Sequence, residues 1–250
     1  MVPVAASVVT RTTLALSPHL DDAAFSCGGT LAMLSAAGWR VVVATLFTRS
    51  VPNPTGFALA CQLDKGLGPA IDYMALRRAE DAAAMQALGA VPIHVPLPEA
   101  PHRGYESAKV LFEPPLGTDT IVDELRQIVG ELLVEHTPDL VFAPQAIGGH
   151  VDHVQLVRAL EGREAPVLWW RDYPYTIRPE APRRPFAEKF AALPERRVTL
   201  DTPALAAREA ACAAYTSQLG YQFGGLDALR TKLAQAGPIE TFSGKPDVTL

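Results

Sequence analysis

The fold is decided by residues 8–48, which read VVTRTTLALSPHLDDAAFSCGGTLAMLSAAGWRVVVATLFT. Residues 8–16 are apolar and β-branched and end just before Pro18, as is typical of a strand inside a sheet. The apolar residues within 28–38 predict a buried helix that stops at the final glycine, and residues 40–48 predict a second buried strand. Strand, helix and strand in about forty residues form a βαβ unit, so we expect a parallel sheet with a right-handed crossover.

The rest of the chain continues this alternation. Residues 49–70 and 98–118 have several breakers and no clean period, and they predict two long loops near the carboxyl ends of strands. With no internal repeat or linker, residues 1–250 are expected to form a single α/β domain, with a Rossmann-like, open and mostly parallel sheet and helices on both faces. Further helices are predicted over 73–90, 118–136, 150–160 and 203–219, and further strands over 91–97, 139–144, 165–174 and 196–200.

Composition excludes several classes of function. The net charge of -5, without a dense basic run, argues against binding to nucleic acid. Three scattered cysteines are too few for a disulfide framework or a structural zinc cluster. The amino-terminal segment is a poor signal peptide because Arg11 interrupts it, and no apolar run approaches the ~18–20 residues of a membrane span. We therefore expect a soluble cytoplasmic protein that acts on a small molecule, with the oligomeric state left open.

Two clusters of polar side chains, which cost free energy to bury without partners, follow predicted strands. Carboxyl ends of parallel strands meet at one edge of a sheet, where ligands bind. Imidazole and carboxylate ligands suit Zn²⁺, and a catalytic zinc keeps one position open for water. Each cluster taken separately could instead be a helix cap or a solvated first turn, so the residues alone leave both interpretations open. The clusters are His19, Asp21 and Asp22 after the first strand, and His150, Asp152 and His153 after the fourth.

Three motifs resemble those of one enzyme family. PHLDDAAFSCGGTLA resembles the P-H-x-D-D-E signature, with a following C-G-G-T, of the PIG-L/LmbE-like zinc-dependent N-deacetylases. GGHVDHVQL resembles the second family motif, G-x-H-x-D-H, and LRRAEDAAAMQALGA is similar to the family's R-x-E-D/E helix. The chain departs from the pattern at Leu20, where proline is usual, and at Ala23, where an acidic residue is usual, which leaves the substrate subclass open.

The resemblance implies a role for each clustered residue. It implies zinc ligation by His19, Asp22 and His153, with Fe²⁺ or another divalent ion as alternatives. It makes Asp21 the general base. Further roles implied by the resemblance are oxyanion stabilisation or amine protonation by His150 and orientation of a histidine by Asp152.

The function implied is hydrolysis of an N-acyl group, with an N-acetyl group on an amino sugar or glycoside as the expected substrate. One alternative is an amidase for a larger thiol or antibiotic conjugate. Another is a non-catalytic relative that binds a sugar or nucleotide, although retention of Asp21 and His150 argues against it because metal binding needs neither residue.

Four further residues are predicted to bind substrate. Arg78 lies on the helix with the R-x-E motif, Arg103 lies in the 98–118 insertion, and Asp172 and Tyr173 follow the fifth strand, with Tyr175 as a possible pocket wall. The alternative interpretations are a solvated helix face for Arg78, an ordinary surface position for Arg103, and the end of an edge strand for Asp172 and Tyr173.

Overall fold

A seven-stranded mixed sheet forms the centre of the computed structural model, which describes residues 10–178 and 180–245. Strands β1 to β5 pair in parallel, whereas β7 is antiparallel to both β5 and β6. The order across the sheet is β3-β2-β1-β4-β5-β7-β6. The predicted open and mostly parallel α/β sheet is therefore confirmed. The strands are β1 (Thr12–Ser17), β2 (Arg40–Thr45), β3 (Val91–His94), β4 (Leu140–Pro144), β5 (Val167–Trp170), β6 (Glu195–Thr199) and β7 (Ile239–Gly244). The predicted start of the first strand at residue 8 lies outside the described residues.

Helices cover both faces of the sheet. Strand side chains alternate between the faces, so Ala15 and Val43 join one apolar core while Leu14 and Leu16 join the other. Helices α1, α3 and α7 pack on the first face, and α4 and α5 pack on the second. The helices of the described part of the chain are α1 (Asp22–Ala36), α2 (Gly56–Leu63), α3 (Tyr73–Leu88), α4 (Ile121–His136), α5 (Val151–Ala159), α6 (Ala187–Ala191), α7 (Thr202–Ala214), α8 (Thr216–Phe223) and α9 (Leu226–Ala236). Within these same residues, no helix is long and apolar enough to cross a membrane.

Several boundaries differ from the predictions. The segment 49–70 is not a continuous loop, because α2 lies within it. The helix predicted over 203–219 is broken at Tyr215, whose backbone is not helical (φ -81°, ψ 56°) and whose buried hydroxyl donates to Asp81 at 2.7 Å. The short helix α6, the helix α9 and the strand β7 were not predicted.

Helix α1 starts earlier than predicted and bends at Cys27, where φ is -143°. The bend leaves the amide groups of Gly29 and Thr30 without partners in their own helix, and the buried carboxylate of Glu240 on β7 accepts both, at 3.0 and 2.8 Å. A distant strand therefore caps the second half of α1 and allows its first turn to begin at Asp22, beside the sheet edge.

Candidate metal centre and active site

The two polar clusters meet at the carboxyl edge of the sheet. Strands β1 and β4 are parallel neighbours, so the loop after β1 and the first turn of α5 lie side by side. The ring centroid of His19 lies 4.9 Å from that of His150 and 5.2 Å from that of His153. Residues separated by more than 130 positions in the chain therefore share one site, as the sequence predicted.

One carboxylate oxygen joins two histidines at a spacing that suits a metal ion. Oδ2 of Asp22 lies 3.2 Å from Nδ1 of His19 and 3.2 Å from Nε2 of His153. Ligands about 2.1 Å from a tetrahedral zinc ion are about 3.4 Å apart, so the two distances from Asp22 Oδ2 are close to those of a zinc ligand set. Nε2 of His153 is buried and makes no hydrogen bond to any residue that the structure describes, which leaves it available as a ligand.

Two buried carboxylates fix which nitrogen of each histidine faces the site. Nδ1 of His153 lies 2.8 Å from Asp172, and Nε2 of His19 lies 2.9 Å from Asp152. Since a carboxylate accepts, each of these nitrogens carries a proton, and the second nitrogen of each ring faces Asp22, where a metal ion can replace its proton. Against the effect of burial, the charges of Asp22 and Asp172 raise the pKa of His153 to about 9, and hydrogen bonds to Asp152 and Asp22 raise the pKa of His19. Asp152 therefore orients His19, which identifies the histidine that the sequence left open, and the donor set fits a zinc ion.

His150 is held as a neutral ring beside this donor set. Its Nδ1 accepts the backbone N–H of Asp152 at 3.2 Å, so the neutral ring carries its proton on Nε2. Burial lowers the pKa of His150 to about 3, and the ring therefore stays uncharged at neutral pH. Each of the three histidines offers a nitrogen within 4.8 Å of the others, so the distances also admit His150 as a ligand.

Asp21 is a buried carboxylate next to the metal ligands. Burial raises the pKa of the Asp21 carboxyl to about 7, against the opposing charge of Arg77. The Arg77 guanidinium places Nη2 3.3 Å from Asp21 and Nη1 3.0 Å from Glu99, and Nη2 also donates to the Leu20 carbonyl oxygen at 2.8 Å. A carboxyl group with a pKa near neutrality suits a general base that later returns its proton.

The arginine at the site is Arg77 and not the predicted Arg78. One residue along a helix turns the side chain by about 100°, which takes Arg78 away from the pocket. Its guanidinium donates to the Thr48 carbonyl oxygen at 2.6 Å and to Ser50 Oγ at 3.1 Å, and it thereby supports the loop after β2. The prediction that Arg78 faces substrate does not agree with this position.

The other three predicted substrate residues are also absent from the pocket lining. Arg103 is buried against Asp152, with Nη2 2.7 Å from Oδ1. Asp172 is buried against His153, and the ring of Tyr173 stacks on Phe223 with centroids 6.1 Å apart. The loops that carry these residues reach the site, but the side chains turn inward. Arg103 contacts Asp152, and Asp172 contacts the candidate ligand His153.

The two departures from the family motif do not reach the pocket. Leu20 and Ala23 are buried in the apolar core on the α1 side of the sheet. The departures therefore leave the lining of the site unchanged.

A large pocket opens from the candidate metal site. Its empty space is about 1320 Å³, including the open mouth. His19, Asp21 and Asp22 lie in its lining, whereas the remaining walls come mainly from α2, α3, α8 and the 98–118 insertion. The sequence analysis placed the 49–70 and 98–118 segments near this edge, but it predicted no helix within 49–70 and named only Tyr175 among the wall residues. The aromatic and large apolar residues of the walls are Phe57, Tyr73, Met74, Leu111, Phe112, Tyr175 and Tyr221.

Comparison with known proteins places the chain in a family. The sequence profile described as PIG-L: GlcNAc-PI de-N-acetylase matches residues 14–162, more than half of the chain. The protein belongs to the PIG-L family. The PIG-L match contains all six residues of the two polar clusters.

One curated relative of this PIG-L chain is a deacetylase. The 2'-N-acetylparomamine deacetylase of Streptomyces fradiae is 32% identical over 169 residues, which are 65% of this chain and 57% of that protein. The chain therefore spans little more than half the length of this curated relative.

Two solved structures match over nearly their whole length. The A40926 pseudoaglycone deacetylase Dbv21 is 28% identical, with a TM-score of 0.76 and coverage of 96% of this chain and 99% of that one. The zinc inhibited form of teicoplanin deacetylase Orf2 is 25% identical, with a TM-score of 0.74 and coverage of 94% and 99%.

Proposed function

We propose that this PIG-L protein is a zinc-dependent N-deacetylase that releases acetate from an N-acetylated amino sugar. The observation that carries the proposal is the position of Asp22 Oδ2, 3.2 Å from Nδ1 of His19 and 3.2 Å from Nε2 of His153. The buried carboxyl group of Asp21 and the neutral ring of His150 stand beside this set. A pure binding module needs neither of the last two groups.

The residues of the site divide the work of amide hydrolysis. Zinc held by His19, Asp22 and His153 would polarise the amide carbonyl and acidify water. Asp21 accepts one proton from the attacking water and, because its pKa is raised, passes that proton to the amide nitrogen as the C–N bond breaks. His150 donates its Nε2–H to the carbonyl oxygen as negative charge develops there. The products are acetate and a free primary amine, so the atoms of one water molecule are fully accounted for.

The shape of the pocket supports a substrate larger than a free monosaccharide. The pocket is open at its mouth, and aromatic and apolar walls continue beyond the metal site, where they can pack against an aglycone. Names of the relatives refer to paromamine, to teicoplanin and to a pseudoaglycone. We infer that the substrate is an N-acetylglucosamine-type sugar attached to a bulky aglycone, as in an antibiotic intermediate.

The net charge and the free thiols support a small-molecule substrate and a cytoplasmic location. The net charge of -5 supports a small-molecule substrate over nucleic acid. Cys27, Cys61 and Cys212 are all free thiols, which supports function in the reducing cytoplasm. Fractionation of cells that express the protein tests this location, and recovery outside the cytoplasmic fraction would contradict it.

The test is a panel of N-acetylated substrates assayed with defined metals. Protein stripped by a chelator and reloaded with Zn²⁺ or Fe²⁺ is incubated with free N-acetyl amino sugars, with their glycosides and with glycopeptide conjugates, and acetate and new primary amine are both measured. We expect activity only after metal loading and the highest kcat/KM for substrates with a large aglycone. Asp21→Asn should keep the metal and lose a factor of roughly 10²–10⁴ in kcat. Full activity of the stripped protein, or the absence of acetate from every substrate, would refute the proposal.

A further inference from the structure

The carboxylate of Asp152 connects a candidate metal ligand to the 98–118 insertion. Its Oδ2 accepts from His19 Nε2 at 2.9 Å and from the backbone N–H of Ala100 at 3.2 Å, and its Oδ1 accepts from Arg103 at 2.7 Å. The Asp152 side chain is fully buried. Burial alone would raise the pKa of Asp152, but the charge of Arg103 and the hydrogen bond from His19 hold it well below its usual range.

Arg103 is itself fixed in one orientation by the insertion. Its Nε and Nη2 lie 3.1 Å from the two oxygens of Asp119, and Nη1 donates to the Pro98 carbonyl oxygen at 2.7 Å. The guanidinium also covers the ring of Phe47 at 5.0 Å, and Asp119 accepts from the hydroxyl of Tyr105 at 2.9 Å. Planar groups with paired donors and acceptors permit little rotation, so Arg103 is a rigid support and not a mobile surface side chain.

We propose that Arg103 is a positioning residue for the metal site, which it serves by fixing the Asp152 carboxylate that orients His19. The proposal rests on the metal site of the proposed function. Without the guanidinium, Asp152 loses the counter-ion that balances its buried charge and the partner that sets its rotation, and His19 then loses the support that directs its Nδ1 toward the site.

The same hydrogen bonds connect one wall of the pocket to the metal site. Pro101, Leu111 and Phe112 of the insertion line the pocket, and Ala100 and Arg103 bind the Asp152 carboxylate. The distance between substrate wall and metal ligand is therefore set by hydrogen bonds to a single buried carboxylate. A substitution of Arg103 should therefore lower the affinity for zinc, and it should change substrate binding by moving this wall of the pocket.

Zinc affinity tests this role without reference to turnover. Wild type, Arg103→Met and Arg103→Lys are compared by competition against a chromophoric zinc chelator, with Arg78→Met as the matched control. Arg78 is also an arginine that binds a backbone carbonyl of a pocket loop, but it has no contact with Asp152. We expect Arg103→Met to bind zinc roughly 10–100-fold more weakly, Arg103→Lys to recover part of that loss, and Arg78→Met to bind like wild type.

A double-mutant cycle separates positioning from general destabilisation. If Arg103 acts through Asp152, then Arg103→Met should cause little further loss of zinc affinity in a protein that already has Asp152→Asn. Equal losses in both backgrounds would overturn the proposal, as would wild-type affinity of folded Arg103→Met. If Arg103→Met does not fold by circular dichroism, Asp119→Asn serves instead and should weaken zinc binding by a smaller factor, whereas unchanged affinity would again overturn it. Failure of the wild-type protein to bind zinc would reject the proposed function itself.

Discussion

Replacement of Arg77 by methionine should move the acid limb of the pH–rate profile. Arg77 Nη2 lies 3.3 Å from Asp21, and Arg77 Nη1 lies 3.0 Å from Glu99. The substitution removes the positive charge nearest the proposed base and leaves the negative charge of Glu99 close to it. An opposite charge at this range lowers the pKa of a carboxyl group by about 1–3 units, so Arg77→Met should raise the pKa of Asp21 by about that amount, or ~1.4–4 kcal/mol.

The sign of the effect on rate follows from the role of Asp21. The carboxylate must be ionised to accept a proton, so kcat/KM falls as pH drops through its pKa, which burial has raised to about 7 in the metal-free site. A bound ion lowers this pKa in wild type and variant alike, and the difference between the two profiles therefore tests the argument better than either position alone. At pH values below the Asp21 pKa of both proteins, kcat/KM of Arg77→Met should be about 10–1,000-fold lower than that of wild type.

The assay is kcat/KM from pH 5 to 9 for wild type, Arg77→Met and the control Arg78→Met, with zinc content measured in each sample. Arg77 also lines the pocket, so its loss can change the height of the profile through substrate binding. A change in substrate binding alters the plateau value of kcat/KM, but it does not alter the pH at which kcat/KM begins to fall. An acid limb at the same pH in Arg77→Met with full zinc content would refute the assignment of Asp21 as the base controlled by Arg77.

Three further substitutions test other parts of the site and its support. His150→Gln should lower kcat by roughly 10²–10³ at unchanged zinc content because an oxyanion donor is lost, whereas loss of zinc would make His150 a ligand. Asp172→Asn should weaken zinc binding roughly 10–100-fold, because the uncharged amide has one acceptor oxygen for the two donors His153 Nδ1–H and Ile147 N–H, and wild-type affinity in a chelator titration would contradict this. Glu240→Gln should lower the unfolding free energy by about 3–5 kcal/mol, because Glu240 is buried 3.4 Å from Arg208 and the guanidinium would be left without its counter-ion. A loss below about 1 kcal/mol in denaturant titration would show that the bend in α1 does not need this carboxylate.

The elements predicted well are those whose signals are local. Residues 8–48 carry their own strand, helix and strand pattern, and Gly89 ends α3 in the left-handed conformation (φ 65°), within one residue of the predicted end at 90. The elements missed depend on distant partners. Strand β7 supplies Glu240, whose acceptor oxygens serve amide groups 210 and 211 residues earlier, and no local pattern contains that pairing. Tyr215 breaks the predicted helix because its buried hydroxyl meets Asp81 of α3, on another part of the chain.

The predicted substrate residues have other partners in the structure for a related reason. A motif places Arg78 on a helix, but the face that this helix turns to the pocket depends on how α3 packs against α1 and α7. Arg103 and Asp172 lie in loops at the sheet edge, yet each has a partner from the first turn of α5, the Asp152 carboxylate for Arg103 and the His153 imidazole for Asp172. A side chain that meets a buried partner of complementary charge is held there and does not extend to solvent or substrate.

By itself, the sequence determined the α/β class, the parallel centre of the sheet and the six polar residues that meet at its edge, because alternation of elements and the ends of strands are properties of short segments. Tertiary structure alone decided which carboxylate orients which histidine, which arginine stands beside Asp21 and what forms the pocket walls. These are contacts between segments far apart in the chain, and their geometry is set by packing across the sheet and by the need of every buried charge for a partner.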